Sequence, residues 1–147
     1  KYIIWYDGEK VKTGRAVNSM TTTTSEKNTQ YQKIKIVDAM DVISSDIRMT
    51  IEDSYVGKYS GSYDNKGLLM AAIGSYLDQL AVDGVVQSYT LGIDIEATRN
   101  YLKARGVDVE SMTEDEIKQA NTGSYVFLIC KLSILDAIED VTLKINI

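Results

Sequence analysis

Apolar residues follow helical and strand periods in turn along this chain, and the changes of period predict the order of its elements. Two long stretches place apolar residues every three or four positions, as amphipathic helices do. The first covers about 31–54, with apolar positions at Ile36, Met40, Ile43, Ile47 and Ile51. The second has its apolar positions at Leu69, Ala72, Ile73, Tyr76, Leu77 and Leu80. Gly84 follows the second helix and is expected to supply its left-handed cap.

The start of the chain predicts a β-hairpin. Residues 2–6 and 9–13 are two short strand candidates, and Asp7-Gly8 between them tolerates the positive φ values of a tight turn. The threonine-rich segment 21–25 fits either a strand or a connector. Residues 56–67 are rich in glycine and turn formers and predict a loop, anchored by Val56, Tyr59 and Tyr63.

A third helix is predicted after a strand over 85–91. Its apolar positions are Ile95, Tyr101 and Leu102, and Gly106 ends it.

The next region predicts a short helix followed by a long strand. Thr113 and Glu116 fit a capping box, so a helix is expected over about 114–120. Residues 125–135 then form a strand that is apolar on both faces at its start, which is typical of a central strand. Cys130 lies in it and is predicted to be a buried, small apolar residue.

The last seven residues predict an amphipathic strand. Its apolar face consists of Val141, Leu143, Ile145 and Ile147, which alternate with polar residues. Such a face must be covered, because an unpaired strand of this kind promotes aggregation. The strand therefore either completes the sheet of its own chain or adds to the sheet of a neighbouring subunit.

These elements define an α+β fold. We predict one domain over residues 1–147, in which a mixed or antiparallel sheet is packed by two long amphipathic helices and two shorter ones. The length of 147 residues is sufficient for a real core. The chain begins at Lys1 without a methionine or a signal-peptide pattern, so we expect it to be a piece of a longer polypeptide.

Composition excludes several classes of function. The formal net charge is −5 and the basic residues are dispersed, which argues against nucleic-acid binding. No run approaches the roughly 20 apolar residues of a membrane span, so we predict no membrane insertion. The chain has no histidine, which removes the commonest general base and metal ligand. A single cysteine rules out a disulfide framework within the chain.

Carboxylates supply the remaining candidates for chemistry. Asp38, Asp41 and Asp46 lie on the first helix, where residues three apart share a face and could hold a divalent cation. Aspartates on the polar side of an amphipathic helix are more often simply solvated. Asp136, Glu139 and Asp140 lie at a bend, where acidic residues are ordinary turn formers. We predict no catalytic residue, no metal site and no cofactor.

Several motifs together resemble one family, the C-terminal domain of contractile phage tail sheath proteins in the version carried by Gram-positive prophages and phage-tail-like bacteriocins. In chain order the matching segments are 6–10, 18–22, 38–41, 46–48, 53–58, 62–66, 92–97, 101–102, 114–118, 121–124 and 135–141. Each is weak alone, but their order and spacing cover nearly the whole chain. A complete subunit of that family has an N-terminal arm and outer domains that this sequence lacks.

The resemblance implies a structural, non-enzymatic role in a virion tail or tail-like particle assembled in the bacterial cytoplasm. Subunits of this family form stacked hexameric rings around a tail tube, and contraction drives the tube through a target envelope. The implied partners are other sheath subunits and the tube protein, with this domain facing the tube. The resemblance also implies that terminal extensions add strands to neighbouring subunits, which agrees with the independent interpretation of Val141 to Ile147.

Two other classes remain as alternatives. An interaction domain from a baseplate or another secreted assembly would show similar patterning but would form a small closed complex instead of tubes. A metal enzyme built on the first-helix aspartates is the third class, and thermal stabilisation by a divalent cation would identify it.

Overall fold

A computed structural model describes residues 4–6, 8–13, 16–24, 29–138 and 142–144 of the chain. The chain divides into two compact units. One consists of residues 1–44 together with 134–147, and the other of residues 45–133. The longest helix crosses from the first unit into the second.

The first unit begins with the predicted hairpin. Strands β1 (Ile4–Tyr6) and β2 (Val11–Thr13) are antiparallel, and Tyr6 is paired with Val11 across them. Gly8 in the connecting loop has a φ of 100°, a value that a residue with a Cβ rarely adopts. The hairpin prediction is therefore confirmed. Strand β2 begins at Val11, two residues later than predicted, and the first two predicted residues of the other strand lie outside the described residues.

A connector joins the hairpin to the first helix. Residues 21–24 are exposed and are not part of a strand, which decides the open alternative in favour of a connector. The Asn18 side-chain amide donates to the backbone oxygen of Tyr31 at 2.7 Å, and Val17 forms an isolated antiparallel bridge with Lys33. These contacts fix the connector against a 3-10 helix at Thr29–Gln32.

Helix α1 spans Ile34–Ser54 and confirms the predicted first helix. Its apolar stripe is directed inward at Ile36 and Ile43, each of which is only 3% exposed. The seven-residue spacing of these two isoleucines is two helical turns, so one face of the helix is buried.

The second unit is built on helix α2, Tyr63–Val82. Ser62 caps it by accepting a hydrogen bond from the backbone of Asn65, and Gly84 follows its end with a φ of 71°, as predicted. The predicted loop therefore ends at Ser62 and not at Gly67, because Ser62 caps a helix that already begins at Tyr63. Three residues of the α2 stripe are buried: Leu69, Ile73 and Leu77.

The predicted loop anchors are not buried. Val56, Tyr59 and Tyr63 are 62%, 54% and 45% exposed. Their apolar character does not hold the loop down, and this prediction was wrong.

Strands β3 (Val86–Ile93) and β4 (Leu128–Ile134) form a two-stranded sheet. Ser133 contacts the Gln87 side chain at one end, and the backbone N–H of Asp94 donates to the Phe127 oxygen at the other. The strands therefore run in opposite directions.

The prediction that β4 is a central strand was wrong for the part of the chain that the structure describes. There β4 pairs with β3 alone, and its middle residues are exposed on both faces. Cys130 is accordingly exposed, not buried as predicted. Sequence pattern gave the apolar character of this strand correctly, but the number of its neighbours depends on residues far away in the chain.

Two short helices complete the second unit. Helix α3 spans Ile95–Ala104 and helix α4 spans Glu114–Gln119. The capping box is present, because Glu116 accepts from the backbone N–H of Thr113 at 2.7 Å and the Thr113 hydroxyl oxygen accepts from the Glu116 N–H. The backbone N–H and the hydroxyl of Thr113 both donate to the Glu116 carboxylate, and these two hydrogen bonds lower the pKa of that carboxyl. The small core of these helices consists of Leu102, Val109 and Ile117. With two long helices, two short ones and antiparallel strands, the α+β fold class is confirmed.

A tyrosine links α2 to the C-terminal half of α1. The Tyr76 hydroxyl donates to the Asp46 carboxylate at 2.7 Å. Desolvation, the hydrogen bond and the negative charge of Asp46 raise the pKa of Tyr76 to about 12. The hydroxyl therefore stays protonated in the folded chain at pH values where a free tyrosine ionises.

This bond predicts a specific response to alkaline pH. Below the ordinary tyrosine pKa of 10, the Tyr76→Phe variant should be about 1 kcal/mol less stable than the unaltered chain. That difference should shrink between pH 10 and about 12, because the unfolded tyrosine then releases its proton while the folded one retains it. Urea unfolding of both proteins across this range is the measurement, and a pH-independent difference would contradict the prediction.

Two loops of the second unit approach each other very closely at Gly61. A Cβ added there would lie 2.3 Å from the backbone oxygen of Gly123, closer than two such atoms can come. The loop before α2 and the loop before β4 therefore touch through backbone atoms.

Gly61→Ala is expected to cost about 1–3 kcal/mol of unfolding free energy, because the loops must separate to admit the methyl group. Gly67→Ala is the matched control. Gly67 lies in α2 and a Cβ there meets nothing within 4 Å, so this change should stabilise by about 0.5–1 kcal/mol through helix propensity. Equal effects of the two substitutions in urea unfolding would show that the close approach carries no strain.

Candidate interaction surface

The strand predicted to link subunits lies partly within the described residues. Leu143 is 78% exposed, and Thr142 and Lys144 beside it are exposed as well. These three residues are not assigned to a strand. Val141, Ile145 and Ile147, the other three residues of the predicted apolar face, lie outside the described residues. The described part of the segment thus presents an uncovered leucine.

The β3–β4 sheet offers main-chain groups for pairing. Within the described part of the chain each of its strands has one strand neighbour, so each has one outer edge with no strand beside it. Ile129 on β4 is 42% exposed. Desolvation of the neighbouring Cys130 thiol raises its pKa, so the thiol is a weak nucleophile.

The three aspartates of α1 do not form a metal site. Asp38 and Asp41 are exposed, whereas Asp46 is half-buried and accepts the Tyr76 hydrogen bond. Among the described residues no three acidic or cysteine side chains converge in a way that could hold a cation. The Tyr76 bond gives Asp46 a structural role that the sequence pattern did not reveal.

Asp136 forms an ion pair with Lys33 in the first unit. The lysine and the backbone N–H of Ala137 hold the carboxylate, and the hydrogen bond from Lys33 is the main cause of the lowered pKa of Asp136. The bend at Asp136 is therefore tied to the start of α1. Glu139 and Asp140 lie outside the described residues.

An aromatic cluster lies between the end of α3 and the segment that leads into β4. Tyr101 contacts Tyr125 and Phe127, with ring centroids 5.2 and 5.4 Å away, and the Arg105 guanidinium lies 5.2 Å from the Tyr101 ring centre. The Tyr101 hydroxyl is buried and has no hydrogen-bond partner among the described residues. Lys103 forms only a long, exposed pair with Glu110 at 3.4 Å.

A pocket of about 590 Å³ opens between the end of α1, the start of α2 and the segment before β4. Seven of its lining residues are apolar or aromatic: Ile51, Tyr55, Val56, Tyr59, Leu69, Val126 and Leu128. The rings of Tyr55 and Tyr59 are 5.3 Å apart, so they form a continuous aromatic patch. We call this feature the Lys66 pocket, after its one charged side chain.

Lys66 is unusual because it is a buried lysine. It is only 4% exposed, and its ammonium donates to the backbone oxygen of Ala120 at 3.1 Å. Desolvation lowers the pKa of Lys66. Among the residues that line the pocket none is an aspartate or glutamate, so the described pocket has no negative charge to balance the ammonium.

Sequence reasoning placed Lys66 in a loop and missed this site. A signal was nevertheless present, because Lys66 lies three residues before Leu69 and seven before Ile73. A lysine in register with an apolar helical stripe is predicted to lie toward the core.

Within the described residues, no helix combines the length and the apolar character that a membrane crossing requires.

Comparison with known proteins identifies the class to which this fold belongs. Residues 26–147 match the family of the phage tail sheath C-terminal domain, so the chain belongs to that family of structural proteins. It is 41% identical over 138 residues to the tail sheath protein of Clostridium phage phiCD119. The alignment covers 93% of this chain but 39% of that relative, so the chain spans well under half of the relative's length. The predicted resemblance to sheath proteins is confirmed.

Proposed function

We propose that this chain is the tube-facing domain of a contractile sheath subunit, in a virion or tail-like particle assembled in the host bacterial cytoplasm. The subunits polymerise as stacked hexameric rings around a tail tube, and their contraction drives the tube through a target envelope. The observation that carries this proposal is the family match over residues 26–147, together with the sheath relative that matches 93% of the chain.

The proposed partners are other copies of the subunit and the tail tube protein. In this proposal residues 1–147 act as one inner domain of a longer subunit. Sheath polymerisation needs contacts that repeat from copy to copy, and a strand that joins the sheet of a neighbour supplies such a contact through main-chain hydrogen bonds.

The segment Val141 to Ile147 is proposed to be that strand. The exposure of Leu143 supports the proposal, since this leucine is 78% exposed and gains an apolar environment only if something covers it. An outer edge of the β3–β4 sheet in a neighbouring copy is a fitting acceptor, because each strand there has only one strand neighbour among the described residues. Strand linkage also keeps subunits connected while rigid domains rotate during contraction.

The alternative is an interaction domain of a baseplate or another secreted assembly. It would use the same exposed strand but close into a small complex, because a heterologous contact forms a ring when its rotation closes.

Electron microscopy of the purified full-length protein tests the proposal. Striated tubes with stacked rings are the expected result, with and without added tail tube protein. Small closed particles of uniform size would favour the baseplate alternative, and a protein that stays monomeric at high concentration would contradict the proposal.

The tube-facing surface can be located by charge reversal. Lys103 near the end of α3, Arg105 directly after that helix, and Asp38 and Asp41 on α1 are all exposed, so reversing the charge of either pair should leave the fold intact. We expect one of the two double variants to lose co-assembly with tube while still forming sheath on its own. Co-sedimentation with tube protein is the measurement. If neither pair alters co-sedimentation, neither helical face contacts the tube.

A further inference from the structure

The Lys66 pocket combines a buried cation with an apolar lining. A lysine ammonium has three N–H donors, and the described residues give this one a single neutral acceptor, the Ala120 oxygen. No carboxylate among the described residues forms an ion pair with it. A buried cation held by one carbonyl is poorly compensated for the water it has lost.

The charge of the pocket selects an anionic group. The net charge of the whole chain is −5, yet the one acidic or basic side chain among the residues that line this pocket is the cation Lys66. A carboxylate entering the pocket would form a charge-assisted hydrogen bond with Lys66 in an environment that water screens poorly.

The walls of the pocket select the neighbours of that anion. Tyr59 is 54% exposed and Val126 is 38% exposed, so part of the apolar lining is open to solvent, and we call these exposed lining residues the mouth of the pocket. Val56, at the same mouth, is 62% exposed. A free inorganic anion would leave this surface uncovered, whereas an acidic side chain with apolar neighbours would cover it.

We propose that the Lys66 pocket binds an acidic segment with apolar neighbours from a second copy of this chain. The inference rests on the proposed sheath function, which places copies of the chain side by side at high local concentration. The chain itself supplies suitable partners, since it has 21 acidic residues against 16 basic ones. The residues that line the pocket belong to the second unit and the Leu143 segment belongs to the first, so this contact would use different residues from the strand linkage.

A purely internal role for Lys66 is the competing explanation. Its ammonium binds the Ala120 oxygen, which lies directly after α4, where a cation also stabilises the helix dipole. In that case the residues at the pocket mouth would contribute nothing to assembly.

Cross-linking identifies the source of the carboxylate. Tubes are assembled from a mixture of unlabelled and ¹⁵N-labelled full-length protein and treated with a water-soluble carbodiimide. This reagent joins an amine and a touching carboxylate as an amide, and the carboxylate oxygen leaves with the urea by-product. We expect Lys66 joined to an aspartate or glutamate peptide in mixed light and heavy pairs. Pairs of one isotope only, or no Lys66 amide at all, would overturn the inference.

A matched pair of valine variants tests the contact by function. Val56→Asp places a carboxylate at the pocket mouth, and Val82→Asp places the same charge at a valine that is 82% exposed and does not line the pocket. Both should fold, because both positions are exposed. Val56→Asp should raise the protein concentration needed for tube formation about tenfold or more, a change of about 1.4 kcal/mol, and Val82→Asp should not.

The outcomes separate this inference from the proposed function. If the unaltered protein forms no tubes, the sheath function is wrong and the pocket contact falls with it. If tubes form and both variants assemble equally well or equally poorly, the sheath function stands and only the pocket contact is overturned.

Discussion

Leu143→Asp is expected to abolish tube formation by the full-length protein while changing the free energy of unfolding of this domain by less than about 0.5 kcal/mol. The two effects separate because Leu143 is 78% exposed and makes little contact within its own chain. In a docked strand its side chain would be covered by the neighbouring copy. Burying a leucine contributes about 1.5–3 kcal/mol, and a buried, unpaired carboxylate at that position would cost more than the leucine contributed.

The measurement compares tube formation, by electron microscopy and sedimentation, with urea unfolding of the isolated chain. Leu68→Asp is the control, because Leu68 is also an exposed leucine, at 55%, on the second unit. Deletion of residues 142–147 should reproduce the assembly defect. Normal tubes from the Leu143→Asp protein would refute the strand linkage, and unfolding of the isolated chain would show that the segment belongs first to its own core.

Leu77→Ala is expected to have the largest effect on stability, about 3–5 kcal/mol. Leu77 is 0% exposed in the middle of α2, so truncation leaves a cavity that the surrounding residues can fill only in part. A domain of this size has a total stability on the order of 5–15 kcal/mol, and the variant should therefore be close to unfolding at physiological temperature.

Urea unfolding followed by circular dichroism measures this loss. Leu68→Ala provides the comparison on the same helix, since Leu68 is 55% exposed and should change stability by less than about 0.5 kcal/mol. A cost below about 1 kcal/mol at Leu77 would mean that α2 does not pack as described.

Local chemistry explains which elements could be predicted. The stripe of α1 and the left-handed glycines after α2 and α3 follow from the geometry of a single helix. The Thr113 capping box needs only residues three positions apart, and it forms as predicted. The N-terminal hairpin likewise depends on one turn.

Predictions that involved distant neighbours were less successful. The strand at 128–134 was identified, but its pattern could not show that β3 would be its one strand neighbour among the described residues, so Cys130 was wrongly expected to be buried. The apolar and aromatic residues between α1 and the start of α2 were likewise expected to be anchors, but they are exposed. Their burial depends on whether another part of the chain covers them.

The sequence by itself determined the family, the α+β class and the absence of histidine chemistry, because these depend on residue identities and on spacings of a few positions. Only the tertiary structure decided that Asp46 accepts a hydrogen bond from Tyr76 and that Lys66 is buried in a pocket with no carboxylate among its described lining residues. Both facts join residues at least 30 positions apart. Contacts over such separations are set by how helices and loops pack on one another. Periodicity shows that Lys66 is in register with the apolar stripe of α2, but it does not show which distant residue Lys66 or Asp46 contacts.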